Sequence, residues 1–83
     1  MKYETLSTTT SGTYTAGQSV NMTLTFTNNI DHLIELYFKD GNNTSESFTI
    51  SSYTISNNVL TVTLKCFQNI TAYLFLMSTV ASY

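Results

Sequence analysis

Alternation of apolar and polar residues with a period of two is the feature that most constrains the fold of this chain. Between Ser19 and Thr27 every second residue is apolar, and those between them are Asn or Thr. Because successive side chains of a strand point to opposite faces of a sheet, the pattern predicts a strand buried on one face only. Its predicted buried face consists of Val20, Met22, Leu24 and Phe26.

Two later segments alternate in the same way, and a third changes phase. One strand is predicted to bury Ile34, Leu36 and Phe38 and to expose Glu35, Tyr37 and Lys39. Another is predicted to bury Leu60, Val62, Leu64 and Cys66 and to expose Thr61, Thr63, Lys65 and Phe67. A strand that begins with Phe48 and Ile50 continues with Tyr53 and Ile55 on the opposite parity. This change predicts a bulge or a switch between sheets after Ser51-Ser52.

The two ends of the chain are expected to contribute strands of different character. Residues Thr71 to Val80 are apolar on both parities, with Ala72, Leu74 and Leu76 on one and Tyr73, Phe75 and Met77 on the other. Such a strand is central in its sheet or covers a partner. Tyr3 to Thr10 is predicted to be a weak edge strand.

Turn residues separate these segments every 10–15 residues or so, as in a sandwich. The predicted turns lie at Gly12, Ala16-Gly17-Gln18, Asn28-Asn29-Ile30-Asp31, Asp40-Gly41-Asn42-Asn43 and Asn57-Asn58, the last as a two-residue hairpin. With 83 residues the chain is expected to form one domain, residues 1–83. The fold class predicted is all-β, a small antiparallel β-sandwich of six or seven strands.

Composition narrows the possible partners. The chain contains 16 Thr, 10 Ser and 8 Asn, whereas only 10% of residues are charged. Its three basic residues, Lys2, Lys39 and Lys65, are dispersed. Because nucleic-acid binding depends on neutralising phosphates, nucleic acid is excluded as a partner, and adhesion to an anionic membrane is excluded for the same reason. The longest apolar run, Ala72 to Met77, is far too short to span a bilayer as a helix.

Few residues could carry chemistry. His32 is the only histidine and follows Asp31, but a surface position at the start of a strand is the favoured interpretation. Cys66 is the only cysteine and shares the inward parity of Leu64, so it is expected to be a buried apolar residue rather than a nucleophile. The carboxylates that could bind Ca²⁺ (Asp31, Glu35, Asp40 and Glu46) lack the spacing of an EF-hand. We therefore expect no enzyme activity, no cofactor and no metal site.

Aromatic residues are the most informative candidates for a binding surface. Tyr37 and Phe67 have the outward parity of their strands, and the last strand carries Tyr73, Phe75 and Met77 on one face. Aromatic side chains are enriched at protein interfaces, and their rings also stack on sugars. These five residues are the predicted interface, with inclusion in a two-sided core as the alternative.

Several stretches resemble the opening of bacterial and phage immunoglobulin-like domains. A Thr-rich first segment leads to Ala16-Gly17-Gln18-Ser19-Val20 and to an alternating strand, Thr23-Leu24-Thr25-Phe26. Leu36 to Gly41 is similar to the third strand of that family, and Val59 to Leu64 to a later one. The resemblance covers about two thirds of the chain and implies an immunoglobulin-like sandwich that binds or decorates. The paired cysteines and buried Trp of antibody domains are absent.

Together these features predict a non-enzymatic structural component of a virus particle. We expect a phage capsid or tail decoration protein present in many copies, made in the host cytoplasm, with other virion proteins and itself as partners. A Thr/Ser/Asn-rich surface without an export signal favours this location. The alternative is an adhesive or carbohydrate-binding module of a larger secreted, cell-surface protein. An inhibitor of a host enzyme is a third, less favoured class.

Overall fold

The computed structural model describes residues 1–41 and 47–83, and their regular structure consists of strands. The strands form two antiparallel three-stranded sheets, which confirms the predicted small all-β sandwich. Of the predicted turn at Asp40-Gly41-Asn42-Asn43, the two residues after Gly41 lie outside the described residues. The strands are β1 (Lys2–Tyr14), β2 (Ser19–Thr25), β3 (His32–Asp40), β4 (Phe48–Ser56), β5 (Val59–Cys66) and β6 (Ile70–Ser82).

The first sheet has the order β1-β6-β3 and the second the order β2-β5-β4. In the second sheet, β2, β5 and β4 have the order of strands B, E and D of an immunoglobulin domain. In the first sheet, β3 and β6 are compatible with strands C and F. In constant-type immunoglobulin domains the first strand lies in the sheet of B, E and D. Here β1 pairs with β6 in the other sheet. The sandwich is therefore established, whereas its immunoglobulin-like character stays a prediction.

The hydrophobic core lies between the two sheets and uses the alternation that the sequence shows. Met22, Leu24 and Phe26 are buried, and β5 contributes four residues with no exposed surface: Leu60, Val62, Leu64 and Cys66. From the first sheet, β6 contributes Ala72, Leu74, Leu76 and Val80. Each fully buried Leu or Val stabilises the fold by about 1.5–3 kcal/mol relative to an exposed one.

The strand that is apolar on both parities, β6, is the central strand of its sheet, which is one of the two positions predicted for it. It pairs with β1 along its whole length and with β3 from His32 to Asp40. The predicted edge strand at Tyr3 to Thr10 is confirmed, but it is longer, since β1 ends at Tyr14. A central position lets both faces of β6 contact side chains from two neighbouring strands.

Gly12 does not interrupt the chain, and the prediction of a turn there is wrong. β1 passes through Gly12, which pairs with Ala72. A Cβ at this position would lie 3.3 Å from Cζ of Tyr14. The lack of a side chain at Gly12 therefore accommodates the Tyr14 ring and does not serve a turn. The ring in turn covers the backbone of Gly12.

Ile34 does not point into the core, and this prediction is also wrong. The register between β3 and β6 shifts between Leu33 and Glu35. As a result Leu33 packs against the core, while Ile34 is 54% exposed. A bulge places two residues of one strand opposite one of its partner, so a period-two pattern changes phase there.

The predicted phase change in the fourth strand is confirmed as a bulge within one continuous strand. The register of β4 against β5 shifts between Ile50 and Ser52. Tyr53 and Ile55 then pair with Val62 and Leu60. The predicted two-residue hairpin is also present: Ser56 pairs with Val59, and Asn57 has a positive φ of 54°.

Gly17 is the glycine at which any side chain is expected to strain the backbone. Its φ is +91°, and no atom lies within 4 Å of the position where a Cβ would stand. Gly17→Ala should lower the free energy of unfolding by about 1 kcal/mol, because only glycine adopts this conformation without strain. Urea denaturation measures the change, and Ala16→Gly in the same turn is the control. An unchanged or increased stability would contradict the assigned backbone conformation.

Candidate functional site: an aromatic face on the first sheet

Four of the five predicted interface residues lie together on the outer face of the first sheet. Tyr37 of β3 stands directly opposite Met77 of β6, and Lys39 stands opposite Phe75. Directly opposed residues of an antiparallel pair share a face. Since Leu74 and Leu76 of β6 point into the core, Tyr73, Phe75 and Met77 point outward with Tyr37. We call Tyr37, Tyr73, Phe75 and Met77 the aromatic face.

The aromatic face is accessible at its two tyrosines. Tyr37 is 45% exposed and Tyr73 is 53% exposed, whereas Phe75 and Met77 are half-buried between strands. The rings of Tyr37 and Phe75 meet edge to face, with centroids 6.2 Å apart. This contact holds the Tyr37 ring against the half-buried Phe75. The Tyr37 side chain would therefore lose less conformational entropy if another molecule covered the aromatic face.

A shallow groove of about 390 Å³ crosses the aromatic face. It is lined by Tyr37, Lys39, Gly41, Tyr73 and Phe75. Gly41 approaches Tyr73 so closely that a Cβ on it would lie 3.1 Å from the tyrosine Cβ. The Gly41 amide also donates a hydrogen bond to the Tyr73 carbonyl oxygen. The absence of a side chain at position 41 therefore keeps one end of the groove open.

Short polar side chains border the aromatic face on β1. Ser7, Thr9 and Ser11 stand opposite Met77, Phe75 and Tyr73. They are too small to cover the rings. At the two ends of the strand pair the hydroxyl groups of threonines bond to each other: Thr5 to Thr79 at 2.7 Å and Thr13 to Thr71 at 3.0 Å. The result is an apolar centre with hydroxyl groups beside it and one cation, Lys39, in the groove.

Phe67, the fifth predicted residue, does not belong to the aromatic face. It is 56% exposed, but it directly follows β5, which lies in the other sheet. Its amide donates to the Ser47 carbonyl oxygen. Its outward parity was read correctly from the sequence, but parity alone does not tell to which sheet a strand belongs.

Among the described residues, those that could carry chemistry are not gathered into one site. The imidazole of His32 contacts the carboxylate of Asp31 at the exposed start of β3, as the surface interpretation predicts. Cys66 is buried, as expected, and its thiol donates to the Gln68 carbonyl oxygen. Glu46 lies outside the described residues. In residues 1–41 and 47–83 no three His, Cys, Asp or Glu side chains are grouped as metal ligands would be.

A second apolar surface was missed by the sequence reasoning. Ile50, Tyr53 and Ile55 of β4 align with the core residues of β5, yet they are 37%, 48% and 38% exposed. β4 is the edge of its sheet, and beyond Phe48 its residues are exposed. The phase of the apolar pattern correctly predicted the direction of these side chains, but it did not predict that they are exposed to solvent.

The chain is therefore a small all-β sandwich with two exposed apolar surfaces. Comparison of the chain with protein-family models, with curated proteins and with solved structures finds no significant match. Among the described residues no helix is long and apolar enough to cross a membrane.

Proposed function

We propose that this protein is a non-enzymatic docking protein that binds other proteins through the aromatic face, as a structural component of a phage particle. In this proposal many copies decorate a capsid or tail. The observation that carries it is the gathering of Tyr37, Tyr73, Phe75 and Met77 from two strands onto one outer face. Large exposed apolar surfaces on small proteins mark contact sites.

The composition of the aromatic face supports a protein partner. Interface centres are enriched in aromatic residues and Met and depleted in charge. Among the described residues that line the groove, Lys39 is the charged one, so these residues bring little charge to be desolvated on binding. One such face is small, but attachment at many equivalent sites of a particle lattice compensates for a weak single contact.

Removing the two aromatic rings that β6 contributes to the aromatic face should weaken attachment strongly. In Tyr73→Ser/Phe75→Ser we expect binding to particles to fall by about two orders of magnitude, because buried aromatic anchors dominate interface energies. The measurement uses particles produced without this chain, to which the purified protein is added back. Bound copies per particle are then counted by quantitative mass spectrometry.

Phe67→Ser is the matched control, since Phe67 is 56% exposed but follows β5 in the other sheet and belongs to neither the aromatic face nor β4. It should leave attachment unchanged. If the double variant attached as well as the unmodified protein while remaining folded, the aromatic face would not be the docking surface. If particles never contained this chain, the proposed role in a virion would be wrong.

A carbohydrate-binding role is the second candidate, and the groove is the observation that favours it. Tyr73 and Phe75 offer ring faces for stacking, and Lys39 can donate to hydroxyl or carboxylate oxygens of a sugar. Titration with glycans, followed by NMR shifts of the Tyr37 and Tyr73 rings, separates the two candidates. Saturable shifts with a sugar, together with no attachment to particles, would favour the adhesive alternative.

A further inference from the structure

The free edge of β4 combines two properties that edge strands seldom combine. Its nine residues include no charged residue and no proline, which are the usual devices that prevent edges from pairing. It also carries three partly exposed apolar side chains, Ile50, Tyr53 and Ile55, on the face that continues the core. The other edge of this sheet, β2, differs because its Met22 and Leu24 are buried.

The apolar row of β4 is a continuation of the core rather than a separate patch. Ile50, Tyr53 and Ile55 pair with Leu64, Val62 and Leu60, none of which has exposed surface. The same open side of the sandwich includes the half-buried Leu36 and Phe38 of β3, which line a cleft with Phe48 and Ile50. The second sheet therefore has an apolar inner face that is buried at β5 but only partly covered at β4.

We propose that β4 pairs with β4 of a second copy of this chain, so that two three-stranded sheets become one six-stranded sheet. A strand that meets itself antiparallel, about a twofold axis perpendicular to the sheet, keeps both inner faces on the same side. Tyr53 and Ile55 of one protomer then pack against those of its partner. The regular stretch after the bulge, Ser52 to Ser56, supplies the backbone hydrogen bonds.

A second copy fits this edge because the edge is complementary to itself. With no charge on β4, two copies bring no like charges together. The exposed backbone donors and acceptors of one edge match those of an identical antiparallel edge. Since a strand edge buries less area than a standard interface, the dimer should depend on concentration.

Light scattering of the full chain, from about 1 μM to 1 mM, tests the pairing. The mass should rise from one to two protomers over this range. Ile55→Lys places a charge in the apolar row and should weaken dimerisation by about tenfold or more. Thr23→Lys, which adds the same charge on the exposed face of the opposite edge strand β2, should leave dimerisation unchanged.

Hydrogen exchange of the unmodified protein gives an independent measurement that does not depend on a variant folding. Between Ser52 and Ser56, the amides that point away from β5 should become more protected as concentration rises, whereas those of β1 should not. A monomer at every concentration would overturn the proposal, and so would a dimer whose β4 amides stay unprotected. Tyr73→Ser/Phe75→Ser should keep the dimer, so failure of this proposal is distinct from failure of the aromatic face.

Discussion

Replacing Phe48 by Ala is expected to lower the free energy of unfolding by about 3–5 kcal/mol. Phe48 is the first residue of β4 and is 2% exposed. Its ring meets Tyr14 edge to face at 5.4 Å and Phe38 at 5.9 Å between centroids. Those two rings belong to strands of the opposite sheet, so Phe48 joins the two sheets at one end of the sandwich.

The loss is large for a domain of this size. An 83-residue chain has roughly 4–12 kcal/mol of total stability, so Phe48→Ala should unfold a substantial fraction of the protein at moderate temperature. Urea denaturation followed by far-UV circular dichroism measures it. Phe67→Ala removes the same ring from a 56% exposed position and should change stability by less than about 1 kcal/mol. Equal effects of the two substitutions would contradict the burial of Phe48 between the sheets.

Replacing Leu74 by Asp is expected to abolish folding. Leu74 has no exposed surface and lies in the middle of β6, paired with Thr10 on one side and Asp40 on the other. An ionised carboxylate there would be desolvated among apolar side chains and would stand opposite another carboxylate. The penalty, added to the lost Leu packing of about 2–5 kcal/mol, exceeds what a small domain can tolerate.

The adjacent residue is the matched control for this substitution. Tyr73→Asp places the same carboxylate one position away, on the opposite face of the same strand, where the side chain is 53% exposed. We expect this variant to fold and to lose no more than about 1–2 kcal/mol. Nuclear magnetic resonance spectra of the two purified variants provide the comparison. Unfolding of both variants would mean that the aromatic face is part of a core rather than a surface.

The two exposed apolar surfaces lie on different sheets, and Tyr37 of one and Ile50 of the other line the same cleft. The aromatic face belongs to the sheet of β1, β6 and β3, and the free apolar row belongs to β4 in the other sheet. A chain paired through β4 would present two aromatic faces at once. Two linked faces bind a repeating surface more tightly than one, since the second contact becomes intramolecular.

The sequence by itself determined the elements that depend on local spacing. The alternation at Met22, Leu24 and Phe26 predicted which face of β2 is buried, because the side-chain period of a strand holds wherever the strand is regular. The phase change after Ile50 predicted the bulge of β4, and Asn57-Asn58 predicted its hairpin with β5. The apolar character of both parities of β6 predicted that it is either a central strand or one that covers a partner. In each case the signal lies within a few residues of the feature.

The tertiary structure alone decided which strands are neighbours and what covers each face. Tyr37 joins Phe75 and Met77 because β3 pairs with β6, a contact between distant parts of the chain that no local pattern encodes. Phe67 has the same outward parity, but it does not join the aromatic face because β5 lies in the other sheet. Ile34 was turned outward by a bulge that only the pairing of β3 with β6 reveals. Tyr53 and Ile55 stand opposite core residues of β5, yet they stay exposed, because burial depends on what packs over an edge strand and not on parity alone.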